Sequence, residues 1–197
     1  MKNNYTFAET LSTIYALLCT RLFYKGARLV RRPFYCRGKS RLQFGEGFTT
    51  GHHCRFDLLG VDSDNSKKLI LGKNCKLGDN VHIVANEQVV IGDNCLMASK
   101  IFISDTSHGD YSEGTTASTP NLAPDDRPLH TKPVSIGDNV WIGENVCILL
   151  GVRIGDGCII GANSVVIHDL PDQCIAVGSP AKVIKRYDFG QKSWVTI

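Results

Sequence analysis

A six-residue beat runs through this chain and limits its fold more than any other feature. An aliphatic residue or Met, usually followed by Gly, Ala or Ser, falls at Leu71, Leu77 and Ile83, then at Ile91, Met97 and Ile103. After a break it returns at Ile136, Ile142, Ile148, Ile154, Ile160 and Val166 without a slip. An α-helix repeats every 3.6 residues and a strand every 2, so a sustained period of six belongs to neither. It predicts a parallel β-helix, in which three hexapeptides close one triangular coil.

The residue choices fit that geometry. Each beat residue points inward, the small residue after it sits at a corner, and four places on comes a second inward residue: Cys75, Val81, Cys95, Ile101, Val140, Val146, Val152, Cys158 or Ser164. One coil cannot bury this stripe alone, so its neighbours supply the partners. Clean coils are expected over 71–88, 91–108, 136–153 and 154–171, with a degenerate one before them around Phe44 and Phe56. The stretch from Asp62 to Lys68 reads as a surface excursion.

A length of 197 residues suits one main domain. The net charge of +3 hides an asymmetry: residues 1–41 hold nine Lys and Arg against Glu9 alone, a net +8 that leaves −5 for the remainder. The chain therefore divides into a basic, partly helical segment (1–41), a β-helix domain (42–185) and a C-terminal tail (186–197). The first segment reads as a helix ending near Pro33. One role for it is a cap that packs Tyr15, Phe23 and Tyr24 on the first coil and covers the open end of the sheet. The other is attachment of an amphipathic basic helix to an anionic membrane surface. The uncharged run from Thr10 to Thr20 is too short to span a bilayer and lacks a small-residue cleavage site. No recognition motif accompanies the basic residues, so nucleic acid is not an expected partner.

Eight cysteines without a CxxC pair, three of them (Cys75, Cys95, Cys158) on the small inward position, point to reduced and mostly buried thiols in a cytoplasmic protein. Chemistry is expected where the beat stops. Residues 109–133 are rich in Gly, Ser, Thr, Pro and charge, and a structureless excursion of that length in a solenoid is usually functional. The beat expected at 89 also arrives two residues late, at Ile91, so the coil beside the loop is distorted.

Three stretches carry a resemblance to a known family: IGDNCLMASKIFISDTSHG at 91–109, VSIGDNVWIGENVCILLGVRIGDGCIIGANSVV at 134–166 and LPDQCIAVGSPAKVIK at 170–185. From Phe44 to Tyr187 the chain resembles the hexapeptide-repeat acyltransferases. Within them it is similar to maltose and galactoside acetyltransferases and, more closely, to the O-acetyltransferases of O-antigen and capsular polysaccharide synthesis. The SDxxHG of Ser104 to Gly109 and the Arg127-Pro128-Leu129 that ends the loop favour that branch.

The resemblance implies a left-handed β-helix, a homotrimer with sites between subunits, acetyl-coenzyme A as cosubstrate, a sugar or polysaccharide precursor as acceptor, and no metal. It places the catalytic histidine at His108, where an imidazole can take the proton of an attacking hydroxyl, with Asp105 as a second catalytic candidate. Coenzyme A contacts are implied at Ala98, Trp141, Glu144, Ala162, Ile167 and Lys182. The galactoside and maltose enzymes have an acceptor-binding Asn where this chain has Gly78, so acceptor contacts are expected at Asp79, Asn80, His82, Asn86 and Arg127 instead.

Other readings stay open on the sequence. An amino sugar could be the acceptor, making the enzyme an N-acetyltransferase. A metal enzyme of the γ-carbonic anhydrase type needs three histidines with two close together on one face, a spacing that residues 52, 53, 82, 108, 130 and 168 do not supply. A non-catalytic scaffold would need neither His108 nor the loop.

Overall fold

The computed structural model describes residues 5–60, 66–114 and 117–197. Each coil gives one short strand to each of three parallel sheets, called here faces A, B and C. Face A runs upward from Leu29–Val30 through Lys76–Leu77, Leu96–Met97 and Trp141–Ile142 to Cys174–Val177. Face B runs from Phe34–Arg37 through Cys54–Leu58, His82–Ala85 and Phe102–Ser104 to Val165–Val166, and face C from Leu42–Phe44 to Arg153–Ile154. All the beat residues from Leu71 to Val166 are buried, as are the nine second inward positions. Each fully buried aliphatic side chain contributes roughly 1.5–3 kcal/mol by leaving water.

The corners explain the rest of the repeat. Between faces C and A, the carboxylates of Asp93, Asp138, Asp156 and Asp172 each accept the backbone N–H of the coil below, from Lys73, Asp93, Asp138 and Asp156 at 2.7–3.0 Å. A Cβ on Gly72, Gly92, Gly137 or Gly155 would collide with that same carboxylate, which is why the beat residue is followed by glycine here. The next Asn turns the chain with φ near +57 to +60°, in the left-handed region Asn tolerates better than most residues. Asn74, Asn94 and Asn139 also bond one another side chain to side chain up the corner.

Several boundaries differ from those read in the sequence. The β-helix starts at Leu29, pairing with Thr49, and not at residue 42, because the first coil fills its interior with Val30, Phe34 and Phe48 without a regular Gly. The helix spans Phe7–Phe23, opened by a Thr6–Glu9 capping box. It packs through Ala16 and Thr20, whose hydroxyl accepts the N–H of Val30 at 2.8 Å. Of the three aromatics expected on the first coil only Tyr24 packs there, edge-on to Phe34 at 5.5 Å, whereas Tyr15 and Phe23 are 61% and 51% exposed. The tail is not a loose end: Lys182–Asp188 and Ser193–Thr196 form an antiparallel hairpin on the upper edge of face A.

Coil length also varies. Ile136 and Ile154 are register partners eighteen residues apart, but Leu71 and Ile91 are twenty apart. Ile91 stacks on Leu71 and Val89 on Leu69, so the beat arrives two residues late, as the sequence indicates, and the corner after Ala85 absorbs the two extra residues. The excursion expected at 62–68 lies, for residues 62–65, outside the described residues.

Candidate functional site

The loop that interrupts the repeat leaves the corner between faces B and C and is more ordered than its composition suggests. Thr106–His108 pairs antiparallel with Leu129–Thr131, so His108 lies opposite Leu129 at the head of a hairpin. Its backbone carbonyl accepts the Tyr111 hydroxyl, and its exposed ring has no hydrogen-bond partner among the described residues. Arg127 ties the far side of the loop, donating to the Tyr111 hydroxyl at 2.6 Å and the Leu122 carbonyl at 2.9 Å. Its guanidinium is therefore a clamp on the loop rather than an open acceptor contact. Near the hairpin, Asp110 accepts from Ser112, which holds its carboxyl below the ordinary value, and stands 3.8 Å from His130.

Asp105 is fully buried and does not touch the His108 ring. Its carboxylate accepts the N–H groups of Asn86 and Glu87 at 2.8–3.0 Å and the Thr106 hydroxyl at 2.6 Å. It thus fixes the two-residue enlargement of the coil below and the first residue of the hairpin that carries the histidine. Asp105 is a positioning residue in this geometry, since a side chain with no access to solvent cannot meet a substrate directly.

The groups expected to hold the acyl donor collect elsewhere, at the corner between faces A and B. Ala98 stacks with Gly143 and Gly161 in successive coils, and Glu144 and Ala162 occupy the next position along the turn. The Gly78 Cα below Ala98 has no room for a side chain, because a Cβ would press at 2.7 Å on the Ala98 carbonyl. The result is a column of small residues parallel to the coil axis. Trp141, 51% exposed on face A between Leu96 and Ile159, flanks it. Lys182 pairs with Val177 at its upper end. Ile167 stands apart, exposed at the other corner of its coil.

The five expected acceptor contacts do not converge either. Asp79 and Asn80 sit at the A/B corner, where Asp79 accepts the His52 N–H at 2.6 Å and Asn80 turns the chain. Asn86 is at the B/C corner beside Asp105. His82 lies on face B between them, its Nε2 3.0 Å from Asp57. Sequence reading missed Asp57, although the strand Cys54–Leu58 signals it by pointing Arg55 and Asp57 to one side at period two.

Thiols are poor candidates for the chemistry. Burial pushes Cys54 and Cys36 up to about 11 and Cys174 to about 12. Among the described residues no three His, Cys, Asp or Glu side chains are grouped to hold a metal ion, and no helix is long and apolar enough to cross a membrane.

The fold and sequence have relatives among known proteins. Residues 133–168 match the family described as bacterial transferase hexapeptide (six repeats). Over 178 residues, 90% of this chain and 88% of the relative, the sequence is 42% identical to WbbJ of Escherichia coli (strain K12), whose name assigns it to lipopolysaccharide biosynthesis as an O-acetyl transferase. Among solved structures, galactoside acetyltransferase in complex with coenzyme A matches with a TM-score of 0.55 at 28% identity, over 76% of this chain and 70% of that one. AntD, an N-acyltransferase from Bacillus cereus in complex with dTDP and 3-hydroxybutyryl-CoA, matches with a TM-score of 0.68 over 96% and 93% of the two chains, a likeness of fold alone at 20% identity.

Proposed function

The chain belongs to the hexapeptide-repeat transferases, acetyltransferases built on a left-handed parallel β-helix, and from that premise we propose that it moves an acetyl group from acetyl-coenzyme A to a sugar hydroxyl during assembly of a cell-surface polysaccharide. The observation that carries this reading is His108: an imidazole without a partner among the described residues, on a braced hairpin at a corner where the repeat is broken. In the proposed step a ring nitrogen of His108 accepts the acceptor's hydroxyl proton as the oxygen attacks the thioester carbonyl. Collapse of the tetrahedral intermediate breaks the C–S bond, and the proton passes from the imidazolium to the departing thiolate. Small-residue backbone along the column admits the pantetheine arm, and Lys182 meets the nucleotide phosphates as a point charge.

The donor column and His108 stand at opposite edges of face B. Five residues, Lys100 to Ser104, separate Ser99 from Asp105, and with the strand Phe102–Ser104 between the two corners the span is on the order of 15 Å, whereas reacting atoms must meet at about 3–3.5 Å. A second copy that sets its B/C corner against the first copy's A/B corner closes this gap, and three such contacts complete a ring. Each site of the homotrimer then takes its donor column from one subunit and its histidine from the next. Mixing two inactive variants, His108→Ala and Ala162→Trp, should restore acetyl transfer through hybrid sites. Absence of rescue in reassembled mixtures, or a fully active monomer in sedimentation, would remove the shared site.

The helix supports a peripheral location. Phe7, Leu11, Ile14, Leu18 and Leu22 are exposed on the side away from Ala16 and Thr20, and the basic residues of the first coil flank the helix, Arg32 beside Tyr15 and Cys19 and Arg28 and Arg31 beside Thr13. An apolar stripe with basic flanks suits the anionic inner leaflet. Flotation with anionic liposomes should recover the full chain but not one lacking residues 1–22, and equal recovery would leave the helix as a cap only.

A further inference from the structure

Face B of the first two coils carries a second polar constellation that the acetyl-transfer chemistry does not use. A cavity of about 670 Å³ is lined there by Tyr35, Arg37, His53, Arg55 and Asp57, a volume in the range of small-molecule sites. At its floor Asp57, with only 9% of its side chain exposed, binds Arg55 Nε at 2.7 Å and His82 Nε2 at 3.0 Å through Oδ2. Its Oδ1 is sealed from solvent and accepts no hydrogen bond. Arg37 Nε is 3.5 Å away, an ion pair but beyond hydrogen-bonding range. Burying a carboxylate with an idle oxygen costs stability that a neutral side chain at this position would avoid. What the arrangement yields is two arginines gathered at one carboxylate, Arg55 held by a hydrogen bond and Arg37 by charge alone. Asp57 engages them only at Nε, so the terminal nitrogens of Arg37 and Arg55 have no partner among the described residues. Two guanidinium forks against one carboxylate leave the cavity cationic, and each fork matches two oxygens of a phosphate.

We propose that this cavity is a subsite for the diphosphate of an activated sugar, the acceptor of the reaction above, on whose reading it rests. Arg37, exposed over 73% of its side chain, closes onto the diphosphate and brings its Nε within reach of the idle Asp57 oxygen. The position suits an acceptor. Asp57, Val84 and Ser104 are register partners in three successive coils, so the cavity lies two strand spacings, about 10 Å, below the strand that leads into His108. A sugar joined to a diphosphate held by Arg37 and Arg55 extends up face B, past the His82 and Phe102 rings, tilted against each other at 5.4 Å, toward that histidine. The diphosphate could belong to a nucleotide sugar or to a polyprenyl-linked sugar; the chemistry recognised is the same.

Calorimetric titration of the full chain with inorganic pyrophosphate, with coenzyme A in excess so that the donor site is filled, tests the subsite without turnover. The Arg37→Gln/Arg55→Gln variant should bind pyrophosphate at least about tenfold more weakly, with its coenzyme A affinity and sedimentation unchanged, and Arg37→Lys should fall between. Displacement of pyrophosphate by a soluble nucleoside diphosphate sugar, or by vesicles carrying a polyprenyl diphosphate, supports the subsite and identifies the source. Equal pyrophosphate binding by wild type and double variant overturns it. So does displacement by glucuronate as effective as by either diphosphate, or a double variant that folds but loses its oligomeric state, which would make the arginines a subunit contact. Coenzyme A binding in the same titrations tests the acetyl-transfer reading separately.

Discussion

The coils built from residues 134–177 and those built from 29–133 share one core pattern but use their carboxylates differently. In the upper half Asp138, Asp156 and Asp172 stand exposed at the C/A corner and each accepts one N–H from the coil below. The lower half has Asp93 in the same corner role but adds Asp57 and Asp105, which are buried and gather several donors apiece. An exposed acid that repeats with the coil is scaffold, and its neighbours above and below can share its load. A buried acid that does not repeat holds the chain away from the repeat geometry, which is worth its desolvation only where an irregular shape is needed. The two buried acids bracket the histidine corner and the arginine cavity.

The largest expected effect separates chemistry from scaffold. His108→Ala should lower kcat by roughly 10²–10⁴-fold, the usual worth of a general base, while the unfolding midpoint and coenzyme A affinity stay at wild-type values. Thiol release from acetyl-coenzyme A in the presence of a sugar acceptor measures it, and near-normal turnover would move the base elsewhere. In the upper half the pattern should invert. Ile148, buried between Ile103 and Val166, should cost about 2–5 kcal/mol of stability on replacement by Ala, with KM unaltered. A comparable loss of kcat per folded molecule would show that the two halves are not separable.

Asp105→Asn joins the two behaviours. One amide oxygen cannot accept from Asn86, Glu87 and Thr106 together, and each orphaned donor costs about 1–3 kcal/mol. Urea unfolding should show that loss and kcat should fall with it, because the His108 hairpin starts at Thr106. Asp138→Asn keeps the single acceptor its corner needs and should stay within about 0.5 kcal/mol of wild type. Equal losses at the two positions would erase the distinction between repeating and non-repeating acids.

What the sequence made legible follows the same division. Where each coil repeats the last, Ile136 through Val166 announce their own burial, because a residue every sixth place has one inward direction available. The His108 corner was legible through the break in the beat and the family's motif. The first coil was not: Val30, Phe34 and Phe48 fill it with unequal side chains, so its start at Leu29 leaves no periodic mark. Asp105 looked like a catalytic partner because it is three residues from His108, yet along a strand that turns a corner three residues lead to a different surface. Asp57 left only an alternation, and its meaning depends on His82 twenty-five residues on, a contact set by coil stacking.

The smallest expected effect concerns pH and tests whether the lower half is the acid-sensitive one. Burial by itself would raise the Asp57 carboxyl, but the hydrogen bonds and charges of Arg55 and His82 hold it below the ordinary value of 3.8. A folded value below the unfolded one means that Asp57 contributes stability at pH above the unfolded value. That contribution is lost as the pH falls through the folded value, so the window opens near about pH 4 and extends downward. The urea midpoint should therefore drop more steeply in wild type than in Asp57→Asn between about pH 5 and about pH 3, the two curves approaching one another at the acid end. Amide exchange should place the early loss in Phe34–Arg37 and Cys54–Leu58, before Cys147–Ile148 and Val165–Val166. Parallel curves for the two proteins, or first loss in the upper strands, would mean that Asp57 is no more than another surface acid and that the halves respond to acid alike.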